Sequence, residues 1–479
     1  MSGSNASGKA SSAPPTASSA PEQAPEAGRE KRSYGSGARI LSIGIASTGL
    51  LTFAYFSIAS HVLGEQPAKR IDLLWSVMFV IISVIYRPIE QLLSRTIAER
   101  RARGHAQHTL RVPMLIQGGF ALVFLAVALA LHDELVDHVF EHQQALYDVL
   151  ILGTLAYAAS YFARGWLAGH ERFALFGGLV LMESVSRICF ALAVVIGVAH
   201  GETAVALGIA AAPFVSLVVV PLAFARTSGA RSGEQYGASE VEQLDAALAG
   251  MGGVGEPLSK GIEEAVAAEE LSLRRGGGFA AAVSAIMLSE QTLLNAAVLT
   301  VDATSSNRAL AGIVFNVLLI ARAPLQLFQA IQTSLLPHLT GLEATAGHEA
   351  FAKAIRTTVL AIIAFASLVA LGLLVLGPFA LRHVFFGQHY SYKAVGLALI
   401  GVGMGLHLCA GALNQAALAR DRARAAAVCW MLAAGLFVAW MLIGVVSDQL
   451  LRTEIGYAGA TGLLAGLLAG LYRRGSMTR

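Results

Sequence analysis

The sequence predicts an all-α polytopic membrane protein: about twelve transmembrane helices in two six-helix lobes related by a repeat. Three observations lead there. Hydrophobic residues make up 55% of the chain and charged residues 14%; soluble domains carry roughly 25% charged residues. The mean hydropathy is +0.63, and the apolar residues fall in runs of spanning length rather than in a period-2 or amphipathic pattern. Finally, an arginine–proline–glutamine element in the second apolar run returns in the eighth, at Arg87, Pro88 and Gln91 and then at Arg322, Pro324 and Gln326. Similar polar elements at corresponding places in two halves are what an internal repeat around a central site produces.

Residues 1–33 are rich in Ser, Ala, Pro and Gly. Such a composition cannot bury a core, so a disordered cytoplasmic tail is expected there. Within it, Gly3 to Ala10 approaches a phosphate-binding loop, but Ala10 stands where the hydroxyl after Lys9 is required and no strand precedes it; nucleotide hydrolysis is therefore not expected to drive this chain. The first apolar run is too long and too late for a cleavable signal peptide. Apolar segments follow at about 39–62, 71–94, 112–132, 145–167, 175–198 and 204–225, and then at about 277–301, 308–336, 354–377, 394–416, 424–446 and 454–472. The N-lobe is thus 34–225 and the C-lobe 277–475, with a cytoplasmic linker at 226–276. That linker is acidic and Gly-rich, then helical in spacing, and reads as a solvated tether; partner docking is the alternative.

Of 34 Lys and Arg, roughly 25 fall in the tail, the linker, the C-terminus and alternate loops on one face. Arg95, Arg100, Arg101, Arg103 and Arg111 form one such loop; Arg164 and Arg172 another; Arg420, Arg422 and Arg424 a third. This bias puts both termini in the cytoplasm. Cys189, Cys409 and Cys429 all lie in apolar runs and make neither a disulfide framework nor a CxxC metal pair. In the outer loop, His138 and His142 have an i, i+4 metal-ligand spacing, but a solvated acidic loop accounts for the same residues.

Arg87 costs on the order of 2.5 kcal/mol or more at mid-membrane depth, so it must face protein, water or an anionic ligand. Helical spacing puts Glu90 or Gln91, and Ser94, on its face. Segment eight repeats the stripe with Arg322, Gln326, Gln329 and Thr333. Pro88 and Pro324 each free a backbone carbonyl, which is tolerated where a helix lines a cavity. One reading is a cationic lining for a phosphate-bearing substrate, gripped by two parallel guanidinium hydrogen bonds. The other is an internal ion pair such as Arg87 with Glu90. Glu183 and Arg187, at i, i+4, are expected to neutralise each other. Glu290, with Gln291, Thr292 and Asn295 beside it, is a lone intramembrane carboxylate: either a proton or sodium site or the partner of an arginine from another helix. His407 and Asn414, spaced i, i+7, face the same side.

With these residues the chain resembles the polysaccharide exporter branch of the multidrug/oligosaccharidyl-lipid/polysaccharide (MOP) flippase superfamily, and especially actinobacterial membrane proteins of polysaccharide biosynthesis. The resemblance rests on Arg87–Gln91, on the Tyr161–Phe173 loop, on the Arg-rich entry to segment eleven and on Arg322–Thr340, and covers approximately 34–475. It implies a non-enzymatic transport protein that moves a polyprenyl-diphosphate-linked glycan, or a related anionic envelope precursor, across the cytoplasmic (plasma) membrane by alternating access between two lobes. Arg87 and Arg322 would engage the diphosphate, with Glu90, Gln91, Gln326 and Gln329 around them. Glu290 and Asn295 would couple transport to a proton or sodium ion, with no other cofactor. The partners implied are membrane lipids and cell-envelope glycosyltransferases or polymerases, not nucleic acid. Two alternatives stay open. A cation-exporting multidrug antiporter of the same superfamily would need cavity carboxylates; the other is a non-transporting scaffold of envelope synthesis. A membrane glycosyltransferase is disfavoured, because the loop after segment one offers Glu65 as its only acid.

Overall fold

The computed structural model describes residues 3, 44, 47–52, 54–59, 61–63, 65–103, 110–217, 273–304, 308–345, 347–380 and 393–477. All of the expected tail but Gly3, and nearly all of the linker, lie outside the described residues. Every regular element among the described residues is helical, as runs of Ala, Leu, Val and Ile without polar alternation require in lipid, where only intrasegment hydrogen bonding satisfies the backbone. A helical stretch, Ser47–Leu63, precedes α1 (Glu65–Ile85), α2 (Arg87–Ala102), α3 (Arg111–Ala130), α4 (Gln144–Gly169), α5 (Phe173–Val195) and α6 (Gly201–Ser216). The second half holds α7 (Leu273–Thr304), α8 (Arg308–Thr345), α9 (Gly347–Ala380), α10 (Ala394–Ala419), α11 (Ala423–Ile443) and α12 (Gln449–Met477). Eight of the described helices are long and apolar enough to cross a membrane.

Two apolar cores correspond to the two lobes. One gathers Tyr55, Leu74, Met78, Tyr147, Leu150 and Ile209; the other Val283, Ile286, Met404, Leu408, Trp430 and Leu464. In the N-lobe α4 is the central stave, packed against α1, α2 and α6, and in the C-lobe α10 takes that place between α8, α9 and α12. By contrast α9 turns Leu360, Phe365, Leu368 and Leu371 outward, as a helix facing acyl chains does. The lobes meet along α2, which packs on α7 and α8, and whose Ile89 and Leu92 belong to the C-lobe core.

The repeat is visible in the backbone. α4 and α10 end in the same tight turn, with Glu171 at φ 57° and Asp421 at φ 59°. The N–H of Glu171 donates to the Ala168 carbonyl and that of Arg172 to Leu167; Asp421 and Arg422 bond in the same way to Leu418 and Ala417. Asp421 suits this left-handed position, which Asp tolerates comparatively well among non-glycine residues; Glu171 takes the same backbone without that advantage.

Segment two is not the single span expected. Pro88 has no N–H to donate, so the helix breaks at Tyr86 (φ −105°, ψ −28°) and restarts with Pro88 in its first turn. Arg87 thereby becomes the first residue of a new helix rather than a charge embedded in a continuous one.

Candidate functional site

The restarted α2 carries the polar stripe that its spacing dictates. Arg87, Glu90, Gln91 and Ser94 share a face and line a small inter-lobe cavity closed from the C-lobe side by Gln332, Thr333 and Leu336 of α8. Its free volume is about 10 Å³, room for roughly one water molecule. The Arg87 Nη2 donates to Gln332 Oε1 at 3.2 Å, joining the lobes across the cavity. A Cβ on Gly411 would meet Gln332 Nε2 at 2.7 Å and the Phe328 ring at 2.9 Å, so the bare α10 backbone there makes room for the Gln332 amide. Gln332 was not among the residues singled out by sequence; counting from Arg322 at helical intervals lands on its neighbour Thr333. Arg322, Gln326 and Gln329 lie on the α8 backbone, but their side chains fall outside the described residues.

Among the described residues Arg87 makes no ion pair with a carboxylate; it bonds to Gln332, and the alternative of an Arg87–Glu90 pair is not formed. Glu90 is buried and lies within electrostatic reach of both Arg164 and Arg87. Arg164 is a correction to the sequence reading, which put it in a loop. Its side chain is 11% exposed and is paired with Glu183, and its guanidinium sits 4.5 Å from the Tyr161 ring centre. Glu183 therefore does not neutralise Arg187. Arg187 donates to Ser184 at 2.8 Å and stacks on Trp75. The i, i+4 relation was real, but a partner across the helix interface won the carboxylate.

α2 approaches α4 closely because α4 has glycines where they touch. A Cβ on Gly165 would lie 2.9 Å from the Glu90 backbone, and one on Gly169 2.7 Å from Ile97. On the C-lobe side, Glu290 of α7 is buried and feels the Arg87 charge. His407 Nε2 lies 4.0 Å from Glu290 Oε1, and His407 Nδ1 is 3.1 Å from the Tyr457 hydroxyl. The Asn295 side-chain NH2 donates to the Gln291 carbonyl one turn back at 2.8 Å. Asn414 accepts a hydrogen bond from the Trp430 indole at 3.2 Å.

At the arginine-rich end of the bundle the lobes are tied by charge. Arg95 of α2 donates to Asp421 Oδ1 at 2.8 Å, and Arg275 of the C-lobe to Oδ2 at 2.7 Å. The Arg95 guanidinium also lies 5.2 Å from the Phe279 ring centre. Burial pushes the Asp421 carboxyl up, but Arg95 and Arg275 more than offset this and hold it below the usual carboxylate range. In the companion turn, Glu171 stands within electrostatic reach of His338 on α8. The acidic residue of each of these two turns thus lies near a basic residue of the opposite lobe. Sequence reasoning missed this latch, since Asp421 reads as one acid in a run of arginines.

A two-lobed helical bundle with a polar seam at a broken helix invites comparison with solved transporters. A MOP superfamily transporter from Pyrococcus furiosus, for which a reversed pocket polarity suggests a different function, aligns with a TM-score of 0.69 at 13% identity, over 94% of this chain and 97% of that one. The chain has the MATE fold. A Vibrio cholerae MATE transporter matches it with a TM-score of 0.67 at 14% identity, over 94% of this chain and 99% of that one. The MATE transporter ClbM, solved in complex with Rb⁺, gives 0.66 at 15% identity, over 91% and 94%. No protein-family model and no curated protein sequence matches the chain. The all-helical, two-lobed MATE-like architecture expected from the sequence is therefore the one observed, and a multi-pass membrane protein is the reading it supports.

Proposed function

We propose that this chain is a plasma-membrane transporter, with cytoplasmic termini, that carries a polyprenyl-diphosphate-linked glycan or related anionic envelope precursor across the bilayer by alternating access between its lobes. The observation that carries the reading is Arg87. It stands at the first turn of α2, faces the inter-lobe cavity, and is held by the neutral Gln332 rather than by a carboxylate. A guanidinium facing an inter-lobe cavity can grip a diphosphate through two parallel charge-assisted hydrogen bonds. The cavity holds only about one water, so substrate entry requires the Arg87–Gln332 contact and the Arg95–Asp421 latch to open.

A second reading, a cation-exporting antiporter, is favoured by one specific observation: Glu90 and Glu290 both lie within electrostatic reach of Arg87. Binding to the purified full-length chain separates the two, with a polyprenyl diphosphate and a quaternary ammonium dye as probes. Anion transport predicts diphosphate binding weakened at least about tenfold by Arg87→Ala, the loss expected when a charge-assisted hydrogen bond is removed. Dye binding abolished by Glu290→Gln, with no diphosphate binding, would replace it with the second reading. Equal diphosphate binding by the parent, Arg87→Ala and the Arg87→Ala/Arg322→Ala double variant would refute the assigned site.

A further inference from the structure

The N-lobe interior holds a cation that the inter-lobe cavity does not use. Arg187, on α5, is 4% exposed, and among the described residues no carboxylate lies within ion-pair distance of it. Its partners are all neutral. Nη2 donates to Ser184 Oγ at 2.8 Å and, at 3.4 Å, to Thr52 Oγ1 on the helical stretch before α1. The guanidinium lies over the Trp75 ring of α1, 4.5 Å from its centre, and Trp75 is flanked by Phe56 and Phe79. Glu183, one turn back on α5, is occupied, since it accepts from Arg164, Ser160 and Ser216. Asp72, on the same helix as Trp75, is exposed.

The donors around this cation are also left over. Arg187 Nε is buried with no hydrogen-bond partner among the described residues, and so is the hydroxyl of Tyr157 on α4. Tyr157 is 3% exposed and within electrostatic reach of Arg187. Thr154, one turn before it on the same face of α4, has a buried hydroxyl in the same condition. Ser184 only positions the guanidinium, because its own hydroxyl hydrogen goes back to the Val180 carbonyl at 3.3 Å. Burying an unmet donor is costly, and burying a charge without a counter-charge more so. Here the charge is positive and Nε and the tyrosine hydroxyl can both donate, so the complement of the set is an anion.

We propose that Arg187, Thr52 and Tyr157 bind a small monovalent anion of the halide class inside the N-lobe, at a site separate from the inter-lobe cavity. One guanidinium supplies one positive charge, and the Glu183 carboxylate stands a turn away on the same helix. A dianion such as sulfate or phosphate brings a second negative charge that nothing here balances. The aromatic wall of Trp75 and Phe56 keeps the surroundings of low dielectric, which strengthens the pairing of guanidinium and anion. Arg187 is not among the residues that line the inter-lobe cavity, so the site stands whether or not the substrate reading does. By drawing on Thr52, Tyr157 and Arg187, the anion ties the helical stretch before α1 to α4 and α5.

Trp75 supplies the readout, because a heavy halide held beside an indole quenches its fluorescence. The purified full-length protein in sodium gluconate is titrated with bromide at constant ionic strength. A quench that saturates is expected, absent in Trp75→Phe and reversed by chloride but not by sulfate. Arg187→Gln is expected to weaken bromide binding at least about tenfold, the loss of a charge-assisted hydrogen bond. Tyr157→Phe keeps the charge and the ring, so it decides the matter even where Arg187→Gln fails to fold; about threefold weaker binding is expected. A quench that rises linearly without saturating overturns the site, as does a saturating one unchanged in Tyr157→Phe. Equal reversal by sulfate overturns the monovalent assignment.

Discussion

Replacing Asp421 with Asn is expected to loosen the arginine-rich face of the bundle. The substitution isolates charge, because Asn, like Asp, tolerates the left-handed backbone at φ 59°. Of the two bonds Asp421 accepts, the one from Arg275 stays within the C-lobe, so the one from Arg95 alone joins the lobes here. A hydrogen bond to a charged group contributes about 1.5–3 kcal/mol. Asp421 is 43% exposed against 8% for Arg95, and solvent screening of the exposed partner lowers the value to about 1–2 kcal/mol. Packing of Arg95 on Phe279 survives the change and sets no further loss. The ratio of opened to closed molecules should therefore rise about 5- to 30-fold, since each 1.4 kcal/mol is a factor of ten. Spin labels at Arg103 and Glu349, both exposed at this end, would report the change as growth of a longer inter-lobe distance by pulsed electron resonance. An unchanged distance distribution would refute the assignment of Arg95–Asp421 as the closing contact.

Three further outcomes follow from the same contacts. Asp421 is held below the usual carboxylate range, so its contribution is complete above the unfolded value near 3.9 and is lost as pH falls through the lower folded value; the long-distance population should grow only in strong acid, and not further in Asp421→Asn. Gly165→Ala places a Cβ 2.9 Å from the Glu90 backbone and should cost about 1–3 kcal/mol, seen as a lower melting temperature in detergent, while Gly178→Ala, with open space around it, should be neutral or slightly stabilising. Arg164→Ala leaves the Glu183 charge, 3% exposed, with the Ser160 and Ser216 hydroxyls but no cation paired to it, and should cost about 3–5 kcal/mol. Most of that should return in Arg164→Met/Glu183→Gln, and a double variant as unstable as the single would show that the pair is not what holds the two helices.

What could be read from the sequence divides along physical lines. Arg87 stood out because charge in an apolar run is costly whatever the fold, and Gln91 and Ser94 followed because 3.6 residues per turn leave no freedom about which side chains share a face. The break at Tyr86 was half legible: Pro88 announces a lost donor, but only packing decides between a kink and a restart. Glu183 shows the opposite limit, for spacing along one helix names a candidate partner and cannot weigh it against Arg164 on the next. Asp421 and Arg95 are far apart in the chain and belong to different lobes, so nothing local connects them. Gln332 was passed over by one position, because a stripe counted from Arg322 fixes a face only to within a residue after three turns.

The glycines beneath α2 bear on how the machine moves. With no side chain at Gly165 or Gly169 to ride over, α2 is seated against α4 backbone to backbone, a joint with no slack, whereas its opposite surface meets the other lobe through Ile89 and Leu92, which can slip past apolar neighbours at little loss. If the lobes move as the proposed function requires, α2 should therefore ride with its own lobe as one piece. Sliding is then confined to a single greased surface, and Arg87, mounted on the moving part, would have to let go of Gln332 and find it again on each return.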